Sequence, residues 1–420
     1  MKQFNVIEFF SGIGAQKKAL EILKENKILD YKIVGTSDWD VWANISYNLI
    51  HNKNDNNEIS EEEIDDFLSK FTHSLDSKNP TNFLKIKQLD FKIKKLLYDA
   101  YKNSNNMGSI INIDGKKLPK CDILTYSFPC QDLSNAGKNL GMSKESNTRS
   151  GLLWEVERIL EEANQENNLP RYLLLENVRN LVSSRHSKEY IEWLEKLKSL
   201  GYSTKTYLLN SFNYGSVQKR IRVFALSILD GDKINFVDDY FKNKKLISEE
   251  NPKDISSNLK LKQSLEKIID ISYTKYLHEA KEAIPNDTPS RKKIYDKNPK
   301  IFSNNKEDIM GEKTKTKNGY YSRWVRTITT KQDRHPNAGV ISIKKSKIDE
   351  GKNSYRFLTP RETFKIMGFS NNDFDKIKEK EIIRNDVLYR QAGNSIVVNV
   401  LVAIFNEILI AEKKFGELNE

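Results

Sequence analysis

The stretch CDILTYSFPCQDLS, residues 121–134, decides the fold of this 420-residue chain. Its run Ile123–Tyr126 predicts a buried strand, and the polar residues after Pro129 predict a loop. Cys130 therefore follows the carboxyl end of a strand, which is the edge of an open α/β sheet where ligands bind. We expect Cys130 to act as a nucleophile, because a thiolate is strongly nucleophilic near neutral pH. Cys121 is expected to pack as a small buried hydrophobe.

Composition limits the kind of protein. With 38% hydrophobic residues the chain can bury a large core and form two domains. A formal net charge of +11 and a pI of about 9.1 favour a polyanionic partner, although basic surfaces also serve solubility.

Two cysteines indicate a reducing compartment. No apolar run reaches the ~18 residues of a membrane span, and the amino terminus lacks the order of a signal peptide. We expect a cytoplasmic, soluble protein without a metal site.

The amino-terminal region has the pattern of a nucleotide-binding unit. It predicts a strand, a glycine turn, a helix and a second strand, at residues 4–10, 11–15, 16–26 and 32–35. Asp38 follows 24 residues after Gly14, near the spacing at which an acid binds a nucleotide ribose. Trp39 is placed to stack on an adenine. The alternative is a tight turn followed by an ordinary surface acid.

A second acid ends a second buried strand. Residues 152–163 have helical spacing, and residues 171–175 predict a strand that stops at Glu176. Because the preceding strand presents Cys130, Glu176 would lie in the same crevice and pair a nucleophile with a proton donor.

A basic run follows at residues 218–224. Gln218, Arg220 and Arg222 occupy alternate positions, so a strand would place all three on one face. Two guanidinium groups on one face suit a phosphate or a carbonyl edge. The alternative is an ordinary solvated strand face.

The remaining segments carry weaker signals. Residues 52–107 predict a partly helical insertion without readable chemistry, and residues 110–114 predict a short strand that ends in Asp114. Residues 229–348 have few long apolar runs and predict a loop-rich recognition surface. A helix is expected from Thr359, as cap, to Met367, closed by Gly368. The apolar residues 396–409 predict a final helix that packs on the amino-terminal domain.

Five short motifs occur in one order along the chain: Phe10-Ser-Gly12-Ile-Gly14, Pro129-Cys130-Gln131, Glu176-Asn177-Val178, Gln218-x-Arg220-x-Arg222 and Gly393-Asn394-Ser395. With this order and spacing the chain resembles the DNA (cytosine-5)-methyltransferases over residues 5–228 and 324–408. The stretches SFPCQDLS and NTRSGLLWEVERIL resemble the mollicute CpG-type members, among the bacterial restriction-modification enzymes of that family.

The resemblance implies an α/β fold with a mostly parallel, Rossmann-like, seven-stranded S-adenosylmethionine-dependent methyltransferase sheet. It implies a catalytic domain at residues 1–228, a smaller loop-rich target-recognition domain at 229–345, and a carboxyl-terminal segment at 346–420 that returns to the catalytic domain. Two positions depart from the family: Ala15 replaces a frequent glycine, and Glu8 replaces a frequent aspartate.

The resemblance also implies residue roles. Cys130 would add to C6 of a flipped-out cytosine, and Glu176 would hold and protonate N3. Arg222 would steady the base carbonyl, with Arg220 beside the flipped nucleotide. The implied cofactor, S-adenosylmethionine, would be bound by Phe10, Gly12, Ile13, Gly14, Asp38, Trp39, Asp114, Pro129, Asn394 and Ser395. Double-stranded DNA would be contacted by Gln131, Ser134, Arg149, Gln218, Arg326 and Arg334.

In bacteria such an enzyme usually protects DNA against a restriction endonuclease, with which we expect no stable complex, and we expect a monomer. Two other functions remain open at the level of sequence. RNA methyltransferases of the same fold carry Pro-Cys-Gln and Glu-Asn-Val, although the long segment before Trp324 favours a DNA-reading domain. A DNA-binding protein with an inactive methyltransferase fold is the other, and the presence of Cys130, Glu176 and Arg222 together argues against it.

Overall fold

The computed structural model describes residues 2–52, 58–129, 149–269, 271, 276–309, 311–343 and 349–418. Contacts divide the chain into two compact units. The first comprises residues 1–209, 221–253 and 401–420, and the second comprises residues 210–220 and 254–400. These bounds come from packing alone, and the functional division at 228 and 345 stays a prediction.

The first unit is built on a mostly parallel sheet. Its six strands are β1 (Gln3–Phe9), β2 (Asp30–Ser37), β3 (Ile123–Tyr126), β4 (Tyr172–Val178), β5 (Tyr202–Asn210) and β7 (Ile221–Leu229). They are ordered β2-β1-β3-β4-β7-β5. The first four pair in parallel, and β7 runs antiparallel to β4. The α/β fold with a mostly parallel sheet is confirmed.

The described residues of the first unit also form helices. They are α1 (Ala15–Glu25), α2 (Val41–His51), α3 (Glu61–Ser69), α4 (Phe83–Lys87), α5 (Phe91–Ser104), α6 (Leu153–Gln165), α7 (Ser187–Ser199) and α8 (Asp239–Asn243). Helix α6 buries Val156, Ile159 and Leu160, whose spacing is helical, in the main core. Cys121 joins that core, and burial raises the pKa of its thiol to about 12. Its predicted role as a buried hydrophobe is confirmed.

One predicted strand is wrong, and the described part of the sheet has six strands where seven were expected. Residues 110–117 form two 3₁₀ turns, Ile110–Asn112 and Gly115–Lys117, linked by Ile113 and Asp114. The reason lies in the apolar spacing. Ile110 and Ile113 are buried while Ile111 is 52% exposed, and this three-residue period suits a turn better than a strand.

The final helix, α15 (Val398–Glu417), packs on the first unit from Leu401 onward. Glu412 accepts a hydrogen bond from the Tyr172 hydroxyl at 2.7 Å and pairs with Lys2 at 3.1 Å. The helical stretch Asn385–Glu417 is long and apolar enough to cross a membrane, but 72% of its apolar window is buried inside the protein. Such burial is also typical of a core helix.

The second unit contains short strands. A five-stranded sheet has the order β13-β12-β8-β10-β9, and β11 pairs with β6. These strands are β6 (Gln218–Lys219), β8 (Lys300–Ser303), β9 (Lys313–Thr316), β10 (Gly319–Ser322), β11 (Val325–Arg326), β12 (Val340–Ser342) and β13 (Tyr355–Arg356). The sequence predicted a loop-rich surface here because strands of two to four residues are too short to show an alternating pattern.

The helices of the second unit are α9 (Leu265–Ile268), α10 (Leu277–Glu282), α11 (Pro289–Lys297), α12 (Pro360–Met367), α13 (Asn371–Lys378) and α14 (Asn385–Asn394). Helix α12 confirms its predicted ends. Thr359 and Glu362 form a capping box at its start, and Gly368, with φ of 105°, ends it.

The central strand β4 offers a test of the core. Leu175 is fully buried, so Leu175→Ala should lower the free energy of unfolding by about 2–5 kcal/mol through lost burial and the cavity left behind. Leu84 is 63% exposed, and Leu84→Ala should change it by less than about 0.5 kcal/mol. Denaturant unfolding measures both; equal losses would contradict the placement of β4.

Candidate active site

A tight turn joins β1 to α1. Phe10 and Gly12 have φ of 55° and Gly14 has φ of 76°, all in the left-handed region. The Gly14 N–H donates to the Ser11 carbonyl at 2.9 Å and closes the turn. No described atom lies within 4 Å of the position that a Cβ on Gly12 would take. The backbone here can therefore approach a ligand closely.

Helix α2 supports this turn from behind. A Cβ on Gly14 would stand 2.5 Å from Nε2 of His51, so glycine is required. The same Nε2 lies 3.1 Å from the Ile13 carbonyl, and Nδ1 lies 2.8 Å from Glu21 Oε1. The Ile13 side chain is itself 3% exposed. Any contact of Ile13 with a ligand would therefore be made mainly by its backbone.

Glu8 lies inside the unit beneath the turn. Its side chain is fully buried on β1, and the Tyr47 hydroxyl donates to Oε2 at 2.6 Å. Burial raises the pKa of Glu8 to about 7, against the opposing effect of the Tyr47 hydrogen bond. Glu8, which departs from the family pattern, is thus a buried carboxyl with a pKa near neutrality.

Asp38 meets the glycine turn directly. Its Oδ2 accepts a hydrogen bond from the Gly12 N–H at 2.9 Å, and its Oδ1 accepts one from the Asp40 N–H at 2.9 Å. Burial raises the pKa of Asp38 to about 6, and the nearby Asp40 carboxylate adds to the rise. The structure thus brings together two motifs that lie 26 residues apart in the sequence.

Two asparagines that the sequence reasoning missed hold Asp38 in place. Asn44 on α2 and Asn106 donate to the Asp38 carbonyl at 3.0 and 3.1 Å, and Asn106 also donates to Asn44 Oδ1 at 2.8 Å. Asn106 belongs to the segment predicted as an insertion without chemistry, so that interpretation was incomplete. A single asparagine gives no pattern that a sequence could reveal. Asp40, by contrast, carries an N-cap signal before α2.

The two residues predicted to contact adenine differ in setting. Trp39 is half-buried and follows Asp38 directly. Asp114 caps the Gly115–Lys117 turn, where Oδ1 accepts from the Lys116 N–H at 3.1 Å. Its carboxylate also lies 3.3 Å from the Lys117 ammonium. The described contacts of Asp114 thus lie within its own turn.

The ends of β3 and β4 lie side by side. Tyr126 pairs with Leu175, and the Asn177 side chain donates to the Phe128 carbonyl at 3.1 Å. Pro129, which follows, is half-buried. Cys130, Gln131 and Ser134 lie outside the described residues. For Arg149, the backbone forms the start of a 3₁₀ turn, Arg149–Leu152.

Glu176 and Arg222 face each other across β4 and β7. Val178 pairs with Arg222 in this antiparallel ladder, which places Glu176 diagonally opposite the guanidinium. The Arg222 Nε lies 3.4 Å from Glu176 Oε1. The two side chains are only 12% and 19% exposed. A carboxyl and a guanidinium held this close together can each hydrogen-bond to a polar atom of the same heterocyclic ring.

Gln218 and Arg220 belong to the interior of the second unit. Gln218 Oε1 accepts from the Ile328 N–H at 2.8 Å, and Arg220 donates to the Ile328 carbonyl at 3.0 Å. Arg220 also donates to the carbonyls of Gly393 and Ser395 at 3.0 and 3.1 Å. Both side chains are at most 5% exposed. In this arrangement they bind backbone, and their predicted contacts with nucleotides remain proposals.

The last motif closes α14. A Cβ on Gly393 would stand 2.4 Å from the Thr330 nitrogen, so the chain needs glycine there. Asn394 is exposed at the end of the helix, and Ser395 is buried as its C-cap.

Two predicted DNA contacts lie on the surface of this unit. Arg326 is exposed on β11. Arg334 is also exposed, and its guanidinium pairs with the Asp333 carboxylate at 2.5 Å.

Comparison with known proteins identifies the family. The family model of the C-5 cytosine-specific DNA methylases matches residues 68–410. Orphan methyltransferase M.SssI of Spiroplasma monobiae is 36% identical over 97% of this chain and 97% of its own. Type II methyltransferase M2.ScrFI of Lactococcus lactis subsp. cremoris is 33% identical over 96% of this chain and 98% of its own.

The fold has a counterpart of low sequence identity. The crystal structure of the S. pombe Dnmt2 methyltransferase aligns with a TM-score of 0.55 at 18% identity, covering 97% of this chain and 98% of that one. At this identity the likeness bears on the fold alone. The family match and the near full-length relatives carry the assignment: the chain belongs to the C-5 cytosine-specific DNA methylases and is a DNA (cytosine-5)-methyltransferase.

Proposed function

We propose that this methyltransferase modifies a flipped-out cytosine through a covalent bond between the Cys130 sulfur and C6 of the base. The observation that carries the proposal is the Glu176–Arg222 pair, whose atoms are 3.4 Å apart at the end of β4. The neighbouring strand β3 leads to Pro129, the residue before Cys130. Because parallel strands end at one edge of the sheet, the nucleophile follows in sequence from the edge that holds this pair.

The three side chains divide the work on the base. C5 of cytosine is a weak nucleophile, so the Cys130 thiolate first adds to C6 and the electron pair moves through the ring to N3. Glu176 donates a proton to N3, and Arg222 hydrogen-bonds the base carbonyl. C5 then reacts as an enamine carbon and would form a bond to the methyl carbon as the bond from that carbon to its sulfonium sulfur breaks. Loss of the C5 proton, loss of the thiolate and return of the N3 proton to Glu176 restore the aromatic ring in the methylated base.

The target base must leave the helix for this chemistry. A stacked base exposes neither C6 nor N3 to side chains from both sides, so we propose base flipping, at a cost of a few kcal/mol. Gln131, Ser134 and Arg149 would contact DNA around the opening. The residues 229–345 would read the bases of a short recognition sequence in duplex DNA.

The family uses S-adenosylmethionine, and the residues of the glycine turn fit it. The group supplies a methyl carbon bound to a sulfonium sulfur, which makes that carbon electrophilic. The open side of Gly12 allows close backbone approach, and the Asp38 carboxylate is suited to accept hydrogen bonds from ribose hydroxyls. Trp39 and Asp114 would contact the adenine. Phe10, Ile13, Gly14 and Pro129 would line the methionine end, and Asn394 with Ser395 would close the site.

The names of two relatives support a proposal for the biological setting. M2.ScrFI is named a type II methyltransferase and M.SssI an orphan one. We propose a modification role in the cytoplasm, where bacterial DNA lies, exerted by a monomer. A cognate restriction endonuclease would act on the same DNA sequence without a stable complex.

The two cysteines allow a matched test of the nucleophile. Wild-type protein should transfer labelled methyl to cytosine in duplex DNA, and it should form a stable adduct with DNA that carries 5-fluorocytosine, because fluorine blocks the final loss of a proton. Cys130→Ala should abolish both. Cys121→Ala removes a core thiol whose pKa is raised to about 12, and it should keep both. Scintillation counting and denaturing gels give the two readouts.

Glu176→Gln tests the proton donor. The amide keeps the size of the side chain, but its N–H groups are too weakly acidic to transfer a proton to N3, so kcat should fall by about 10² to 10⁴ with little change in DNA affinity. An unchanged kcat would contradict the role of Glu176.

The same transfer assay with wild-type protein distinguishes the alternative functions. Methyl transfer to RNA and not to DNA would support the same chemistry in an RNA methyltransferase. DNA binding without methyl transfer would favour an inactive methyltransferase fold.

The raised pKa of Asp38 predicts pH-dependent cofactor binding. Below about pH 6 the carboxyl becomes protonated and loses one acceptor, so the affinity for S-adenosylmethionine should fall as the pH drops from 8 to 5. Asp38→Asn should bind weakly at every pH and lose this dependence. Asp30→Asn, at the opposite end of β2, should behave as wild type in calorimetric titrations. A flat wild-type profile would contradict the role of Asp38.

A further inference from the structure

Lys219 lies between two buried residues yet points outward. Gln218 is fully buried and Arg220 is 5% exposed, whereas Lys219 is exposed. This is the period of two that a strand imposes. The buried neighbours both bind the backbone of Ile328 and so fix the strand from within. The direction of Lys219 is therefore set by contacts that it does not make itself.

The partner strand places a second cation beside it. Strands β6 and β11 are parallel, with Gln218 opposite Val325 and Lys219 opposite Arg326. Gln218 and Val325 form the buried side, and Lys219 and Arg326 form the exposed side. Neighbouring strands are about 4.8 Å apart. Like charges directly opposite one another on neighbouring strands repel, and an anion bound beside them reduces that repulsion.

An aromatic ring holds the Lys219 ammonium in place. Its Nζ stands 3.9 Å from the centre of the Trp324 ring and 5.6 Å from that of Phe212. A ring orients a cation without cancelling its charge. Two other arginines of this unit are paired with acids, since Arg323 pairs with Glu312 and Arg334 pairs with Asp333. The ammonium thus keeps a full charge in an ordered position.

We propose that Lys219 and Arg326 contact backbone phosphates of the duplex substrate, with Trp324 orienting Lys219. The proposal rests on the assigned DNA methyltransferase function and refines it. In the motif Gln218-x-Arg220, the middle residue meets the DNA, while Gln218 and Arg220 are positioning residues that hold the strand from its buried side. Phosphate contacts fix register and carry no sequence information.

Salt dependence of DNA binding tests the proposal. Each phosphate contact adds about 0.9 to the magnitude of the slope of log K against log salt concentration. Lys219→Ala and Arg326→Ala should each lower that magnitude by about 0.9, and the double variant by about twice as much. The loss of affinity should be the same for duplexes with and without a methylatable site. Lys219→Arg keeps the charge and should keep the slope.

Lys85 supplies the matched control, because it is an exposed lysine on α4 in the other unit. Lys85→Ala removes one charge from the chain and should leave the slope unchanged. Affinity for S-adenosylmethionine and the melting temperature should be nearly equal in all variants, because single substitutions on an exposed surface usually change stability little. Titrations with labelled duplex at salt concentrations from about 50 to 200 mM give the slopes.

Three results would overturn the proposal. One is a wild-type slope in both Lys219→Ala and Arg326→Ala. Another is an equal fall in the slope for Lys85→Ala, which would mean that only net charge matters. A third is a lower melting temperature with weaker cofactor binding, which would make Lys219 structural. In each case wild-type methyl transfer would still occur, whereas its absence would count against the proposed function alone.

Discussion

The site depends on the register of three parallel strands. Phe9, Tyr126 and Leu175 lie opposite one another on β1, β3 and β4. Strands β1 and β3 end at this level, whereas β4 continues to Val178 beside β7. The glycine turn, the Phe128-Pro129 segment and Glu176 follow directly. A shift of one strand by a single residue would turn its side chains to the other face and move its terminal group. Hydrogen bonding within the sheet thus sets the geometry of the chemistry.

The acids near the glycine turn show how burial tunes a carboxyl. Burial raises the pKa of Glu8 to about 7 and that of Asp38 to about 6. Glu8 is paired with the Tyr47 hydroxyl inside the unit, and Asp38 receives N–H donors from Gly12 and Asp40. Glu8 therefore supports the turn from within. Asp38 presents a carboxyl whose pKa burial raises and whose backbone N–H donors oppose that rise.

In the motif Gln218-x-Arg220, both named side chains hydrogen-bond to the backbone of the second unit. Gln218 and Arg220 satisfy both backbone groups of Ile328, and Arg220 also binds two carbonyls at the end of α14. A buried guanidinium is costly unless its donors are used, and three backbone carbonyls accept from its Nη1 and Nη2 groups. The exposed charge of the motif falls on Lys219 instead.

The sequence by itself determined the strand, turn and helix order at the amino terminus of the first unit, the helix from Thr359, and the motif order that indicated the family. These features are local, because capping residues, glycines and apolar periodicity act over a few neighbours. Only the tertiary structure placed Asn106 beside Asp38, Arg222 beside Glu176, and Arg220 among backbone carbonyls. It also showed that residues 110–114 turn where a strand was predicted, and that short strands form a sheet within residues 300–356. The side-chain placements depend on contacts between residues distant in the chain, which no local pattern encodes. The turn at residues 110–114 instead follows a local three-residue apolar period that is too short to distinguish from a strand.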